Sequence, residues 1–316
     1  MFSQFCLLFS AVLIATQSWY AIGGSGGQDP QPQVALTPRE HASTKRTPAP
    51  NLRMDLKVVL VPVTVTDALD RPVNNLTQDR FRIMEDGVEQ TITSFCQEES
   101  PVSLGLLFDS SGSMKNRIDA SVESLKQFFQ TTIPGDEFFV VQFADEARLL
   151  GSFTTNSDDI FHRLGFVQAK GWTALLDSVA LASHQMKTAK NPRKVLLILS
   201  DGGDNNSRFS EAEIRNMVLE GDLRVYAIAL NYRPRMLQQL AQETGGNVLV
   251  AQSMSDLPDV VQRLSREIRS QYLLGYSAQN AQNDGKYHKV KVEVVRPAGT
   301  PALRVYWRHG YFAPAE

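Results

Sequence analysis

A chain of 316 residues with 42% hydrophobic and 21% charged residues has the composition of an ordinary soluble globular protein, long enough for one large domain or two smaller ones. A formal net charge of −2 gives no electrostatic basis for binding nucleic acid or an anionic membrane surface. Two cysteines, Cys6 and Cys96, exclude a disulfide framework, so stability has to come from packing.

The chain opens on an apolar segment in which Phe5–Ala15 has the length of a secretory h-region and is short for a membrane span. The charged n-region is reduced to the terminal amine. Ala21 and Gly23 flank Ile22 as the small residues of a cleavage site, so residues 1–23 read as a signal peptide. The protein is then exported to the periplasm, the cell surface or the medium, with an uncleaved N-terminal anchor as the alternative. Cys6 lies inside the h-region without a small-residue lipobox and does not suit lipid attachment. Cys96, beside Phe95, reads as a small buried hydrophobe. Residues 24–50 are rich in Gly, Pro, Ser and Thr without apolar periodicity, as expected of a disordered linker. The G-x-S-x-G match at Gly23–Gly27 has neither the strand before it nor the helix after it that a nucleophile elbow requires.

From Leu56 the pattern turns to β. LKVVLVPVTVTDA is dominated by β-branched residues, and FRIMEDGVEQTITSF reads as two strands joined at Asp86-Gly87, a hairpin signal. The end of the chain has the same character in QYLLGYSA, KYHKVKVEVV and ALRVYWRHGYF, with turns at Asp284-Gly285 and Pro297–Gly299. Val290, Val292 and Val294 alternate with Lys289, Lys291 and Glu293, giving one buried and one wet face. Tyr287, Tyr306, Trp307, Tyr311 and Phe312 are expected in the core of this β region.

Between the β flanks, strands and helices alternate, which predicts βαβ units. Strands are expected at Leu104–Phe108, Phe138–Phe143, Ala147–Phe153 (an edge strand), Val195–Ser200, Val225–Leu230 and Asn247–Ala251. Helices are expected at Ile118–Gln130, Thr173–Met186, Glu211–Leu219, Met236–Glu243 (stopped by Gly245-Gly246) and Asp256–Ser270. Neither β flank buries a face alone. The predicted fold is therefore α/β: a doubly wound, mostly parallel sheet inserted in a small antiparallel β-sandwich formed by both flanking segments. Residues 51–100 and 271–316 make the two halves of the sandwich, and 101–270 the inserted domain.

The stretch LGLLFDSSGSM runs a buried strand into Asp109, Ser111 and Ser113, at the strand end where open α/β sheets place ligands. One carboxylate and two hydroxyls on one turn suit a hard cation such as Mg²⁺, although Asp and Ser in such a place also cap helices. Two further stretches bring the same chemistry. GWTALLDS offers Thr173 and VLLILSDGGDN offers Asp201, each at a strand or helix end.

These five oxygens resemble the metal-ion-dependent adhesion site of the von Willebrand factor type A domain. Over about residues 55–315 the chain is also similar to a secreted bacterial family related to it, through Glu85-Asp86-Gly87, Gln271–Tyr276, Asp284–Val294 and Arg308–Tyr311. The resemblance implies Mg²⁺, with Mn²⁺ possible, bound directly by Ser111, Ser113 and Thr173. Asp109 and Asp201 would act largely through water. It also implies a protein partner that offers a Glu or Asp carboxylate to the open coordination position.

The leading expectation is a non-enzymatic binding module. The alternatives are a structural or assembly subunit of the cell envelope and a metal-dependent hydrolase. Against the hydrolase, His41, His162, His184, His288 and His309 are scattered, with no general base beside the five oxygens. Asp177 reads as a local hydrogen-bond partner, Asp204 as a turn residue, and Trp172 either as an exposed rim residue or as a buried one. The helix at Asp256–Ser270 packs as an ordinary amphipathic helix, or shifts in concert with the site and switches its affinity, as the resemblance implies for some proteins of the family, carrying a signal into the strand Gln271–Tyr276 that follows it here.

Overall fold

The computed structural model describes residues 58–314 apart from 98, 232–233, 279–284, 297–298 and 300–301. The signal peptide and linker expected over 1–50, and the start of the first β flank, lie outside the described residues. Leu56–Glu316 forms one compact unit.

The first flank supplies β1 (Val58–Thr66), β2 (Phe81–Glu85), β3 (Val88–Gln90) and β4 (Ile92–Gln97). The central region runs β5 (Val102–Asp109), α1 (Ile118–Phe129), β6 (Glu137–Phe143), β7 (Ala147–Leu149), α2 (Ser157–Leu164) and α3 (Leu175–Gln185). It continues with β8 (Arg193–Ser200), α4 (Glu211–Glu220), β9 (Leu223–Leu230), α5 (Arg235–Thr244), β10 (Val248–Ala251) and α6 (Leu257–Arg269). The second flank adds β11 (Tyr272–Ser277), β12 (Tyr287–Val294), β13 (Arg304–Trp307) and β14 (Gly310–Phe312).

The central six strands are ordered β10-β9-β8-β5-β6-β7, parallel except for β7 at the edge. β5 and β8 carry apolar residues on both faces because each face is covered. Leu104, Leu106 and Phe108 pack with α1, α2 and α6, while Leu107, Leu196 and Ile198 pack with α3, α4 and α5. The sheet is therefore doubly wound. The order reverses between β5 and β8, since the chain leaves β5 toward β6 and returns on β5's other side. That reversal opens a crevice at the carboxyl ends of the two strands.

The flanks form two four-stranded sheets, β13-β1-β11-β4 and β14-β12-β2-β3, and each sheet mixes strands from both ends of the chain. They share one core containing Val61, Val63, Ile83, Tyr272, Leu274, Tyr276, Val290 and Val292. The central domain's entry and exit are tied together. The Arg193 guanidinium donates to the carbonyls of Ser100 at 2.8 Å and Ile268 at 2.6 Å. Arg269 grips Asp136 through both nitrogens, and Asp136 also accepts from the N–H of Val102 at 2.9 Å.

Several local expectations are corrected. The segment after Asp86-Gly87 is two strands: β3 ends at Gln90, and past Thr91 the chain crosses to the other sheet as β4. The edge strand stops at Leu149, where Gly151 takes a φ of +148°. A helix unforeseen in the sequence, α2, starts on Asn156, whose side chain accepts from Asp158 N–H, and buries only Ile160 and Leu164. The helix expected from Thr173 begins at Leu175. Phe312 is exposed and Cys96 half-buried. Gly245 does end α5, with φ +79° and its Cβ direction 2.6 Å from the Trp307 backbone, so α5 and β13 approach closely there.

Where α6 meets the sandwich, Glu267 is fully buried and its carboxylate accepts from Asn247 Nδ2 at 3.1 Å. Burial pushes its pKa up to about 7 from the ordinary 4.5, against the Asn247 hydrogen bond. The folded chain thus holds a proton that the unfolded chain releases near 4.5. The contribution of Glu267 to stability is therefore full below about 4.5 and is lost as pH rises through about 7. Glu267→Gln is expected to flatten this fall and raise the unfolding temperature at pH 8, as read by calorimetry between pH 5 and 8.

Candidate metal centre

β5 and β8 lie in parallel register through Phe108 and Leu199, and both run out into turns that carry an aspartate. Asp109, the last residue of β5, is fully buried. One of its oxygens accepts from the Ser111 N–H at 2.8 Å and the other from the Ser200 hydroxyl. The carboxylate is thereby fastened to its own turn and to the neighbouring strand end. Beyond it the chain makes a 3-10 turn, Gly112–Asn116, with Ser111 as N-cap. Ser111 Oγ stands 3.1 Å from Ser113 Oγ, and the Ser113 hydroxyl donates to Asp201 Oδ1 at 2.7 Å. Asp109, Ser111, Ser113 and Asp201 therefore form one connected cluster.

Thr173 lies on the loop before α3 and is buried. Its N–H donates to Asn205 Oδ1 at 2.8 Å, and its carbonyl accepts from the N–H groups of Asn205 and Asn206. Its hydroxyl oxygen is 4.0 Å from the Cβ direction of Gly202, beside Asp201. Among the described residues no hydrogen bond joins that hydroxyl to the other four. The Thr173 loop is held to the first turn by Lys170 N–H on Ser110 O and Gly112 N–H on Gly171 O. Gly171 is required here: its φ is +77° and a Cβ would lie 2.2 Å from the Asp145 carboxylate, which accepts from Trp172 N–H.

Arg117 completes the cluster, and sequence reasoning missed it. Its Nη1 donates to Asp201 Oδ2 at 2.5 Å, and its Nη2 donates to Asn231 Oδ1 at 2.8 Å with the Asn231 amide turned to satisfy its neighbours. The guanidinium thus spans the ends of β8 and β9. Its only signal in the sequence is its place four residues after Ser113. Ser200 was missed as well, although it directly precedes Asp201. Asp177, expected as a local hydrogen-bond partner, instead accepts from the distant N–H groups of Arg208 and Phe209, and Asp204, expected as a turn residue, accepts from that of Leu176. Trp172 is 64% exposed at the rim.

Burial pushes the Asp109 carboxyl above the usual carboxylate range, opposed by the Ser200 and Ser111 hydrogen bonds and reinforced by the negative charge of Asp201. Two little-exposed carboxylates standing side by side favour a cation beside them. The donor set is all hard oxygen. Neighbouring ligands of an octahedral Mg²⁺ stand about 2.9 Å apart, from bond lengths near 2.1 Å. The 3.1 Å and 2.7 Å separations along Ser111, Ser113 and Asp201 bracket that spacing. These residues fit a small hard divalent ion.

The sequence profile of the von Willebrand factor type A domain matches residues 104–203, from β5 to the turn after Asp201. The chain carries a von Willebrand factor type A (VWA) domain. No curated protein sequence matches the chain. Among solved structures, proximal thread matrix protein 1 from the mussel byssus is 19% identical over 58% of this chain and 51% of its own, with a TM-score of 0.51. A von Willebrand factor type A protein from Catenulispora acidiphila is 14% identical over 82% of this chain and 73% of its own, with a TM-score of 0.50. A structure of the mussel protein with a zinc-occupied MIDAS motif is 18% identical over 56% of this chain and 49% of its own, also at 0.50. The chain spans about half the length of the mussel protein. At these identities the likeness is one of fold.

The Arg117 side chain is 29% exposed and that of Asp201 3%. Removing the guanidinium leaves a buried carboxylate short of its counter-charge, a cost discounted by the partial exposure to about 1–2 kcal/mol. Arg117→Gln is therefore expected to lower the unfolding temperature in chelator by a few degrees. An unchanged temperature contradicts the pairing.

Proposed function

We propose that the VWA domain holds a divalent cation, Mg²⁺ or Mn²⁺, at Asp109, Ser111, Ser113, Thr173 and Asp201, and uses it to bind a Glu or Asp carboxylate of a partner protein. The observation that carries this reading is the cluster itself: two seryl hydroxyls lined up between two buried carboxylates at the switch point of the sheet. The same fold in the mussel protein has a zinc-occupied MIDAS motif. Ser111, Ser113 and Thr173 offer neutral ligands, which leave the ion's charge uncompensated and attractive to an anionic oxygen. Arg117 strengthens this effect by drawing on the charge of Asp201. The exposed Trp172 ring offers apolar contact beside the site, and Lys115 and Lys170 are exposed on the adjoining turns.

Capture without turnover suits these groups. The described histidines lie on α2 and α3, on β12 and between β13 and β14, and Asp177 is engaged with backbone N–H groups. The apolar segment Phe5–Ala15, with the length of a secretory h-region, supports export as part of this reading. Among the described residues no helix is long and apolar enough to cross a membrane.

The test is retention of the full chain on surfaces of poly-glutamate and poly-glutamine. Binding to poly-glutamate alone, present in Mg²⁺ and lost in EDTA, is expected. Thr173→Ala should weaken it at least tenfold while changing Mn²⁺ affinity much less. Retention that is absent, or indifferent to chelator, contradicts the reading.

A further inference from the structure

A second cluster of metal-ligand type lies in the sandwich, away from the VWA cluster and built from both ends of the chain. β2 ends on Glu85, and the tight turn to β3 places Asp86 and Gly87 at φ +48° and +86°, the paired left-handed conformation of a type I′ hairpin. β12 runs beside β2, with Val290 opposite Glu85, and His288 lies two residues further along. The His288 Nδ1 is 2.8 Å from Asp86 Oδ2 and 3.7 Å from Glu85 Oε1. One ligand atom from each of the three lies within 4.8 Å of the others.

We propose that Glu85, Asp86 and His288 bind a Zn²⁺-class transition ion. Ligands of a tetrahedral zinc stand about 3.4 Å apart, from bond lengths near 2.0–2.2 Å. The two distances from Nδ1 bracket that value. An imidazole nitrogen beside two carboxylates favours zinc, cobalt or nickel over Mg²⁺ and Ca²⁺, which take oxygen. The nitrogen donor, rather than the ion alone, sets this ligand group apart from the all-oxygen cluster of the VWA domain.

The surroundings have the supports of a metal site. Asp86 Oδ1 accepts from the Lys289 N–H at 2.9 Å, which turns Oδ2 toward the imidazole. The Tyr311 hydroxyl donates to Glu85 Oε1 at 2.7 Å, and its ring stacks on His288 at 5.6 Å between centroids. Such outer contacts orient ligating carboxylates and imidazoles. A separate observation comes from across the sandwich. Tyr276 on β11 is fully buried, and its hydroxyl has no hydrogen-bond partner among the described residues. It faces Glu85 and Tyr311 and is a second phenol available to a carboxylate that swings toward a cation. Glu85 is buried while the Asp86 side chain is 50% exposed, so the fourth position opens to solvent. Because Glu85 and His288 come from opposite ends of the fold, the ion would staple the two flanks together and close a loop of about 200 residues.

The test is titration of the full chain with Zn²⁺ by calorimetry, and with Co²⁺ by visible absorption, in the Asp109→Ala background that removes the first cluster. One equivalent should bind, with cobalt bands of a nitrogen-ligated ion, and the unfolding temperature should rise. Adding His288→Gln should weaken binding at least tenfold. In the otherwise unmodified chain, Asp86→Asn should do the same to one equivalent while keeping the left-handed turn, which Asn tolerates. No binding in the Asp109→Ala chain, or binding that survives both His288→Gln and Asp86→Asn, overturns the proposal.

Discussion

Two carboxylates buried at the ends of adjacent strands are the constraint around which this molecule is arranged. Asp109 ends β5 and Asp201 directly follows the last residue of β8, the two neighbours between which the strand order reverses. Buried charge is tolerated only where positive charge or hydrogen-bond donors meet it. Here the donors are Ser111 N–H, the hydroxyls of Ser200 and Ser113, and the Arg117 guanidinium. The turn after β5, the loop before α3 and the start of α1 are all held in place around them. The divalent ion proposed for this site would add positive charge beside the two carboxylates.

The rest of the fold keeps those strand ends rigid. Apolar residues on both faces of β5 and β8 lock their register. At the opposite end of the sheet, Arg193 and the Asp136–Arg269 pair clasp the chain where it enters β5 and leaves α6. The sandwich then joins the two flanks, since each of its sheets alternates or combines strands from both.

Much of this was legible in the sequence for simple physical reasons. Strands buried on both faces give uninterrupted apolar runs, and a polar turn directly after such a run falls at a sheet's carboxyl edge. Asp109, Ser111, Ser113 and Asp201 could be grouped on that basis, and Thr173 by its resemblance to a known pattern. Arg117 was not legible, because its contact depends on how α1 enters relative to β8 and β9, a tertiary fact with no local period. The helix α2 buries two apolar residues in eight and gives too weak a repeat to stand out. The passage from β3 to β4 looked continuous because crossing between sheets at Thr91 interrupts the pairing without interrupting the β-rich composition. The Glu85–Asp86–His288 cluster needs the register of β2 against β12, which composition does not reveal.

The most direct measurement is a titration of the full chain with Mn²⁺, followed by electron paramagnetic resonance, for the natural sequence and for Asp109→Ala. The natural chain should take up one Mn²⁺ at the VWA cluster, displaced by excess Mg²⁺, and Asp109→Ala should weaken that uptake at least a hundredfold. Equal uptake by the two chains, or none by either, contradicts a metal-dependent site at the ends of β5 and β8.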